Sequence, residues 1–434
     1  MTLSLLVIYG EERSVPESNR EYIEDSRRIF SNKPTFSMQF KLYWWLFFGP
    51  WTWLFRILSW ALPKQTNLYV FGSNEGELFS DNSRALFEYV KIHEPHIKAI
   101  WFTKSDAVFR EVESKFPGSV VKSPSIRASY IYIRAEQAII SYGFQDLCKM
   151  PWVPSIKTNQ LWHGIPIKKI GLLRDGRKTI SDYGPTWPIF TKWADKVDKF
   201  FVASDYEMKA HIQAFKIPEN KFKITGNPRN ERLLNSEVRN QDSTKVILYA
   251  PTFRSRDRIV DNILMHPNMD ERRMHHFLAK NNARLIVRPH WIDPETEYSS
   301  DRIECITHEL EPDLYRLFMQ SDILVTDYSS AFIDWLILDR PVVFSPYDIE
   351  DYEQKNGFLA PYEKLVPPPI CKNPTELLRE LQNAIDDANR HHEERLAARS
   401  FFHGDLKPGI SKRILDEIEK KQTYRLMIFT DQSL

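Results

Sequence analysis

The residues best equipped for chemistry in this chain are two histidines, a few arginines and one serine-rich turn. The turn follows the apolar run Ile323–Val325 and contains Thr326, Asp327, Ser329 and Ser330; Phe332, Ile333, Leu336 and Ile337 then recur at helical spacing. A strand that passes into a helix N-terminus through such residues offers unpaired backbone N–H groups, the positive end of the helix dipole and hydroxyl donors. Together these suit an anion such as a phosphate. Plain N-capping by Ser and Asp accounts for the same pattern.

Four other loops end apolar runs. His163 lies between Trp162 and Gly164, and a neutral imidazole on such a turn can take up a proton near pH 7. A purely structural histidine reads the same way. Lys168, Lys169 and Arg174 follow it, either as a phosphate-holding stretch or as a solvated face. Arg229 sits in the turn Gly226-Asn-Pro-Arg229. Thr252 and Arg254 close the run Tyr249-Ala-Pro-Thr-Phe-Arg254, where a guanidinium fork suits phosphate oxygens. His290 ends Arg288-Pro-His290. The chain has no Gly-rich phosphate loop with Lys-Ser/Thr, no Gly-x-Gly-x-x-Gly after a strand, and no convincing metal-ligand spacing. The set is a kit for stabilising charge on a transferred phosphoryl group without a covalent intermediate.

The elements that must position these loops alternate between strand and helix along most of the chain. The first half predicts strands over 67–73, 97–103, 120–121, 137–143, 199–204 and 222–226, with helices over 82–93, 106–116 and 125–134 between them. A polar break at 235–244 is followed by strands over 246–250, 284–287, 303–306, 323–325 and 341–344. Helices are expected near 271–280, 313–320 and 331–338, then one long charged helix over 375–399 and another over 411–421. Such alternation implies parallel sheets with right-handed crossovers, and ligands bind at the carboxyl ends of their strands. The expected layout is an extension over 1–35, an aromatic amphipathic segment over 36–62, a Rossmann-like domain over 63–235, a second over 242–370, and C-terminal helices over 371–434. A cleft would separate the two doubly wound domains.

Segment 36–62 is rich in Trp, Tyr and Phe and is broken by Lys41, Gly49-Pro50 and Arg56. That favours two short helices lying in a membrane interface over a spanning helix, which wants about 20 uninterrupted apolar residues. A net charge of +1 argues against a global field for nucleic acid, and three cysteines at unrelated spacings suggest neither a disulfide framework nor a zinc site.

Taken together, Trp162-His-Gly-Ile-Pro166 with Lys168-Lys169, Tyr249-Ala-Pro-Thr-Phe-Arg254, Arg288-Pro-His290 and Thr326-Asp-Tyr-Ser-Ser330 with Phe332 and Asp334 resemble the CDP-glycerol glycerophosphotransferase family. The likeness runs from about Asn67 to Phe358. It implies a GT-B-like fold and an enzyme at the cytoplasmic face of the membrane, monotopic or peripheral. It also implies transfer of glycerol phosphate or ribitol phosphate, with release of CMP, in the synthesis of teichoic-acid-like polymers. The implied partners are CDP-glycerol or CDP-ribitol, an undecaprenyl-type lipid-linked acceptor and the membrane surface. No cofactor and no nucleic acid are implied, and a homo-oligomer is left open. His163 then falls on the family's general base and His290 on a histidine acting at the donor phosphates. The family's serine-rich helix start falls on Ser329 and Ser330 and its Thr-Phe-Arg motif on Arg254; beside them Thr252, Thr326, Asp327 and Arg229 are expected on the donor side, and Lys168, Lys169 and Arg174 on the acceptor side. Ile165 departs from the family, which often has Thr there. The competing reading is a GT-B glycosyltransferase that uses a nucleotide sugar.

Overall fold

A computed structural model describes residues 53–147, 155–174, 193–235, 244–252, 269–289, 300–307, 310–311 and 313–430. Two wholly parallel sheets lie within the compact unit Phe55–Leu434. The first has seven strands in the order β3-β2-β1-β4-β5-β6-β7 and the second five, β10-β9-β8-β11-β12. The strands of the first are β1 Gln65–Gly72, β2 Lys98–Thr103, β3 Val120–Lys122, β4 Ala135–Ile140, β5 Lys157–Gln160, β6 Lys199–Val202 and β7 Phe222–Ile224. Those of the second are β8 Lys245–Tyr249, β9 Ala283–Val287, β10 Ile303–Cys305, β11 Ile323–Thr326 and β12 Val342–Phe344. In each sheet the winding reverses beside the first strand, between β1 and β4 and between β8 and β11. Such reversal points are where doubly wound sheets open a ligand crevice.

The central strands are buried on both faces because helices cover both. All six residues of β4 and all four of β11 are buried. The crossover helices begin where the sequence supplies caps. Ser105 accepts from the Val108 N–H at the start of α2 (Asp106–Lys115), Ser125 from Ala128 in α3 (Ile126–Arg134), and Ser204 from Glu207 in α4 (Asp205–Phe215). Helix α1 (Asp81–His93) starts without a side-chain cap, and its first residue, Asp81, takes a left-handed φ of 61°. In the second half α5 is Glu271–Lys280, α6 Leu314–Gln320 and α7 Ala331–Trp335.

The long helix expected over 375–399 is two helices, α8 (Pro374–Asp386) and α9 (His392–His403). The break follows from Arg395, which is 2% exposed and donates to the Arg390 and Ala388 carbonyls. A continuous helix would have committed those acceptors to its own ladder. The last helix, α10 (Ile410–Thr430), returns to the first sheet. Its Ile410, Ile414, Leu415 and Ile418 share a core with Tyr69, Phe71, Leu86 and Trp101. The halves also share a core, in which Ile165, Ile167 and Leu233 meet Tyr328, Phe332 and Phe344. Each such side chain contributes roughly 1.5–3 kcal/mol on burial.

Segments 1–52, 253–268 and 290–299 lie outside the described residues, and with them Arg254, His290 and most of the aromatic segment 36–62. Among the described residues no helix is long and apolar enough to cross a membrane.

Candidate active site

The chain leaves β5 through Leu161 and Trp162, the latter at a left-handed φ of 55°. A non-glycine residue there needs outside support. Asn82, buried in the first turn of α1, provides it by donating from Nδ2 to the Leu161 and Trp162 carbonyls, each at 3.0 Å. The next residue, His163, is half-buried. Its ring lies between Tyr142, parallel at 4.0 Å and 1°, and Trp162 at 4.4 Å and 29°. Nδ1 is 3.2 Å from the Ser141 carbonyl oxygen. That oxygen can only accept, so Nδ1 carries the hydrogen and the lone pair of the neutral ring sits on Nε2. Desolvation lowers the His163 pKa below its ordinary 6.5, against the opposing pull of Asp81. The imidazole is therefore neutral at pH 7.

A consequence for pH follows directly. A depressed histidine pKa contributes stability above 6.5 that is lost as pH falls through the folded value. If His163 takes up a proton in the reaction, kcat/KM stays flat down to about pH 6.5 and its acid limb has a midpoint below that. A pH–rate profile with that midpoint at 6.5 or higher contradicts this.

Gly164 brings the second sheet to this loop. Its φ is 147°, and a Cβ built there would lie 3.2 Å from Arg229 Nη2 and 3.6 Å from Ser330 Oγ. The His-Gly turn of the first half therefore abuts the Ser329-Ser330 helix start of the second. Arg229 joins them further. Its Nη1 donates to Asp81 Oδ1 at 2.9 Å and to the His163 carbonyl at 2.8 Å, and its Nη2 donates to Asp334 Oδ2 at 2.7 Å. Tyr315 donates to the same Asp334 oxygen at 2.9 Å. Burial opposes the Arg229 charge, but Asp334, Tyr315 and Asp81 outweigh it and raise its pKa.

Thr252, Thr326, Asp327, Ser329 and Ser330, expected on the donor side, gather at the reversal point of the second sheet. Asp327, 1% exposed, accepts at Oδ1 from the Thr252 N–H (2.8 Å) and from its neighbour Tyr328 (2.6 Å), tying the loops after β8 and β11. The Thr326 hydroxyl donates to the Ala250 carbonyl at 2.7 Å. Ser329 and Ser330 are half-buried; the Ser329 hydroxyl accepts from the Ala331 N–H at 3.3 Å, and Ser330 makes no side-chain cap. Of the residues expected on the acceptor side, Lys168 extends its ammonium over the Tyr352 ring at 5.3 Å, and Lys169 donates its N–H to the Gly357 carbonyl at 3.2 Å. Arg174 is exposed at the end of the turn Gly171–Leu173. Ile165 is 2% exposed and belongs to the shared core, so the departure from Thr there is a packing choice.

Sequence reasoning missed Tyr142, Asp81 and Asn82. Tyr142 ends an apolar strand in Ser-Tyr-Gly, a signal similar to the one that drew attention to His163. Burial raises the Tyr142 pKa, and its hydrogen bond to Asp81 adds to that. Among the described residues no group of His, Cys, Asp and Glu is arranged to hold a metal ion.

Residues 54–420 match the model of a family described as CDP-glycerol:poly(glycerophosphate) glycerophosphotransferase. The teichoic acid glycerol-phosphate transferase of Staphylococcus aureus is 29% identical over 84% of this chain and 96% of its own length. The teichoic acid ribitol-phosphate primase of Bacillus spizizenii is 24% identical, over 84% and 94%. Among solved structures, a variant of the wall teichoic acid polymerase TagF soaked with CDPG superposes with a TM-score of 0.71 at 25% identity, covering 86% of this chain and 94% of that one.

Proposed function

The chain belongs to the CDP-glycerol:poly(glycerophosphate) glycerophosphotransferase family, and from that premise we propose that it transfers a glycerol-phosphate or ribitol-phosphate unit from a CDP-alditol to an acceptor hydroxyl. The acceptor is a lipid-linked saccharide or a growing polyol-phosphate chain. Its oxygen attacks the β-phosphorus, the bond from that phosphorus to the bridging oxygen breaks, and CMP leaves with the bridging oxygen. His163 Nε2 takes the acceptor proton. The N–H groups and hydroxyls at Ser329-Ser330 hold the diphosphate, assisted by His290 and Arg254. Lys168, Lys169 and Arg174 serve the acceptor side.

The observation that carries this reading is the juxtaposition across Gly164. A neutral histidine with its Nδ1 hydrogen engaged lies next to the serine-rich helix start of the other sheet. This supports the reading of a base from one half acting on a donor held by the other, in a GT-B-like cleft. The aromatic segment is assigned to the cytoplasmic membrane surface, beside a lipid-linked acceptor. In its described part, helix 53–61, the side chains of Trp53, Ile57 and Trp60 recur at helical spacing and are exposed. Purified protein given CDP-glycerol or CDP-ribitol with a lipid-linked acceptor releases CMP, and mass spectrometry shows the acceptor heavier by alditol-phosphate units. Transfer from UDP-sugars with no release from either CDP-alditol would replace this reading by a glycosyltransferase.

A further inference from the structure

The crevice between β1 and β4, the reversal point of the first sheet, is filled by the chain itself. Asp146, 0% exposed, sits in the turn Phe144–Leu147. Its Oδ2 accepts from the backbone N–H groups of Ser141 (2.9 Å), Tyr142 (2.7 Å) and Gly143 (3.2 Å), and its Oδ1 from Glu75 in the loop after β1 (3.0 Å). Loops after the first strands of doubly wound sheets commonly aim such N–H groups at a ligand phosphate; here a carboxylate takes the anion's place. Gly72 makes the fit possible, since a Cβ there would stand 2.3 Å from the Asp146 carbonyl oxygen.

The segment so held is the one that cradles His163. The Ser141 carbonyl meets Nδ1, and the Tyr142 ring lies flat on the imidazole. Ser141 is also pinned through its hydroxyl by the Ser83 N–H at 3.0 Å, and its carbonyl accepts from Gln160 Nε2 at 3.1 Å. We propose that Asp146 is a positioning residue: by gathering the N–H groups of residues 141–143 it aims the Ser141 carbonyl at His163 Nδ1, and so fixes Nε2 as the atom that accepts the proton. The catalytic part of this rests on reading His163 as the base.

The test separates orientation from simple stability. In wild type, nitrogen NMR of the ring signal that His163→Ala removes shows the Nδ1–H tautomer; an Nε2–H tautomer there overturns the proposal outright. Asp146→Ala lowers kcat by about 100-fold, the cost of a small misplacement of a reacting group, with KM for CDP-glycerol unchanged. Its His163 signal shifts to a tautomer mixture, and added formate, which restores an anion to the crevice, recovers both the signal and kcat. If Asp146→Ala does not fold, Asp146→Asn, which keeps the shape and one acceptor but leaves no room for formate, is read by kcat and tautomer alone. A folded variant with wild-type kcat, or one that loses kcat with the tautomer unmoved and no response to formate, assigns Asp146 to stability alone. Full activity in His163→Ala sinks the base reading and leaves the tautomer measurement as a test of Asp146 by itself.

Discussion

His163→Ala lowers kcat for CMP release by roughly 10²- to 10⁴-fold, the range for loss of a positioned general base. The expectation rests on three features of the ring. Its Nδ1 hydrogen is engaged by the Ser141 carbonyl, desolvation keeps it neutral at pH 7, and Tyr142 and Trp162 hold its plane. The loss falls on kcat, and KM for the donor stays within a small factor, because in the proposed reaction the imidazole acts on the acceptor proton and not on donor binding. His163→Gln keeps a polar side chain and is as slow as the alanine variant. A correctly folded His163→Ala protein with near wild-type turnover would remove His163 from the chemistry.

Arg229→Met costs about 3–5 kcal/mol of stability, the range for breaking a buried ion pair from one side. The side chains of Arg229, Asp81 and Asp334 are 15%, 16% and 6% exposed, so losing the guanidinium strands two carboxylates with little water to replace it. Arg229→Lys recovers only part of the loss, since one ammonium cannot reproduce the fork that meets Asp81, Asp334 and the His163 carbonyl together. Adding Asp334→Asn to Arg229→Met costs less than the two single changes summed, because they share one interaction. Urea unfolding reads each difference as a shift in midpoint. An Arg229→Met protein within 1 kcal/mol of wild type would contradict the clamp. Activity falls with stability here, because the same guanidinium holds the His163 loop beside α7, which Ser329 and Ser330 precede.

Local pattern was enough to read most of the strands and several helices. The apolar run Ile323–Val325 became β11, and the hydrophilic stretch 235–244 does separate the strands of the two sheets. These signals are periodic and short-range, and they survive into the fold because burial acts on each element separately. Helix 375–399 was misread because its charged residues fit helical spacing throughout; what breaks it is the burial of Arg395 beside Asp339, 56 residues away. The loops that carry His163, Ser329 and Ser330 were legible because each ends a strand in residue types that strands rarely contain. Their supports were not. Arg229 finds Asp81 and Asp334 at separations of 148 and 105 residues, and Asp146 stands in an unremarkable Phe-Gln-Asp-Leu turn. Pairings over such distances leave no period behind in the sequence.

The return of α10 to the first sheet bears on how the chain is made. Tyr69, Phe71, Leu86 and Trp101 emerge early in synthesis, but the Ile410, Ile414, Leu415 and Ile418 that cover them come more than 300 residues later. At ordinary rates of synthesis that interval is at least about 15 seconds. Throughout it, the part of this core that α1 and α2 leave uncovered stays open to water and to any other apolar surface nearby. The part of this core that α10 covers is therefore completed only after the second half of the chain has been made.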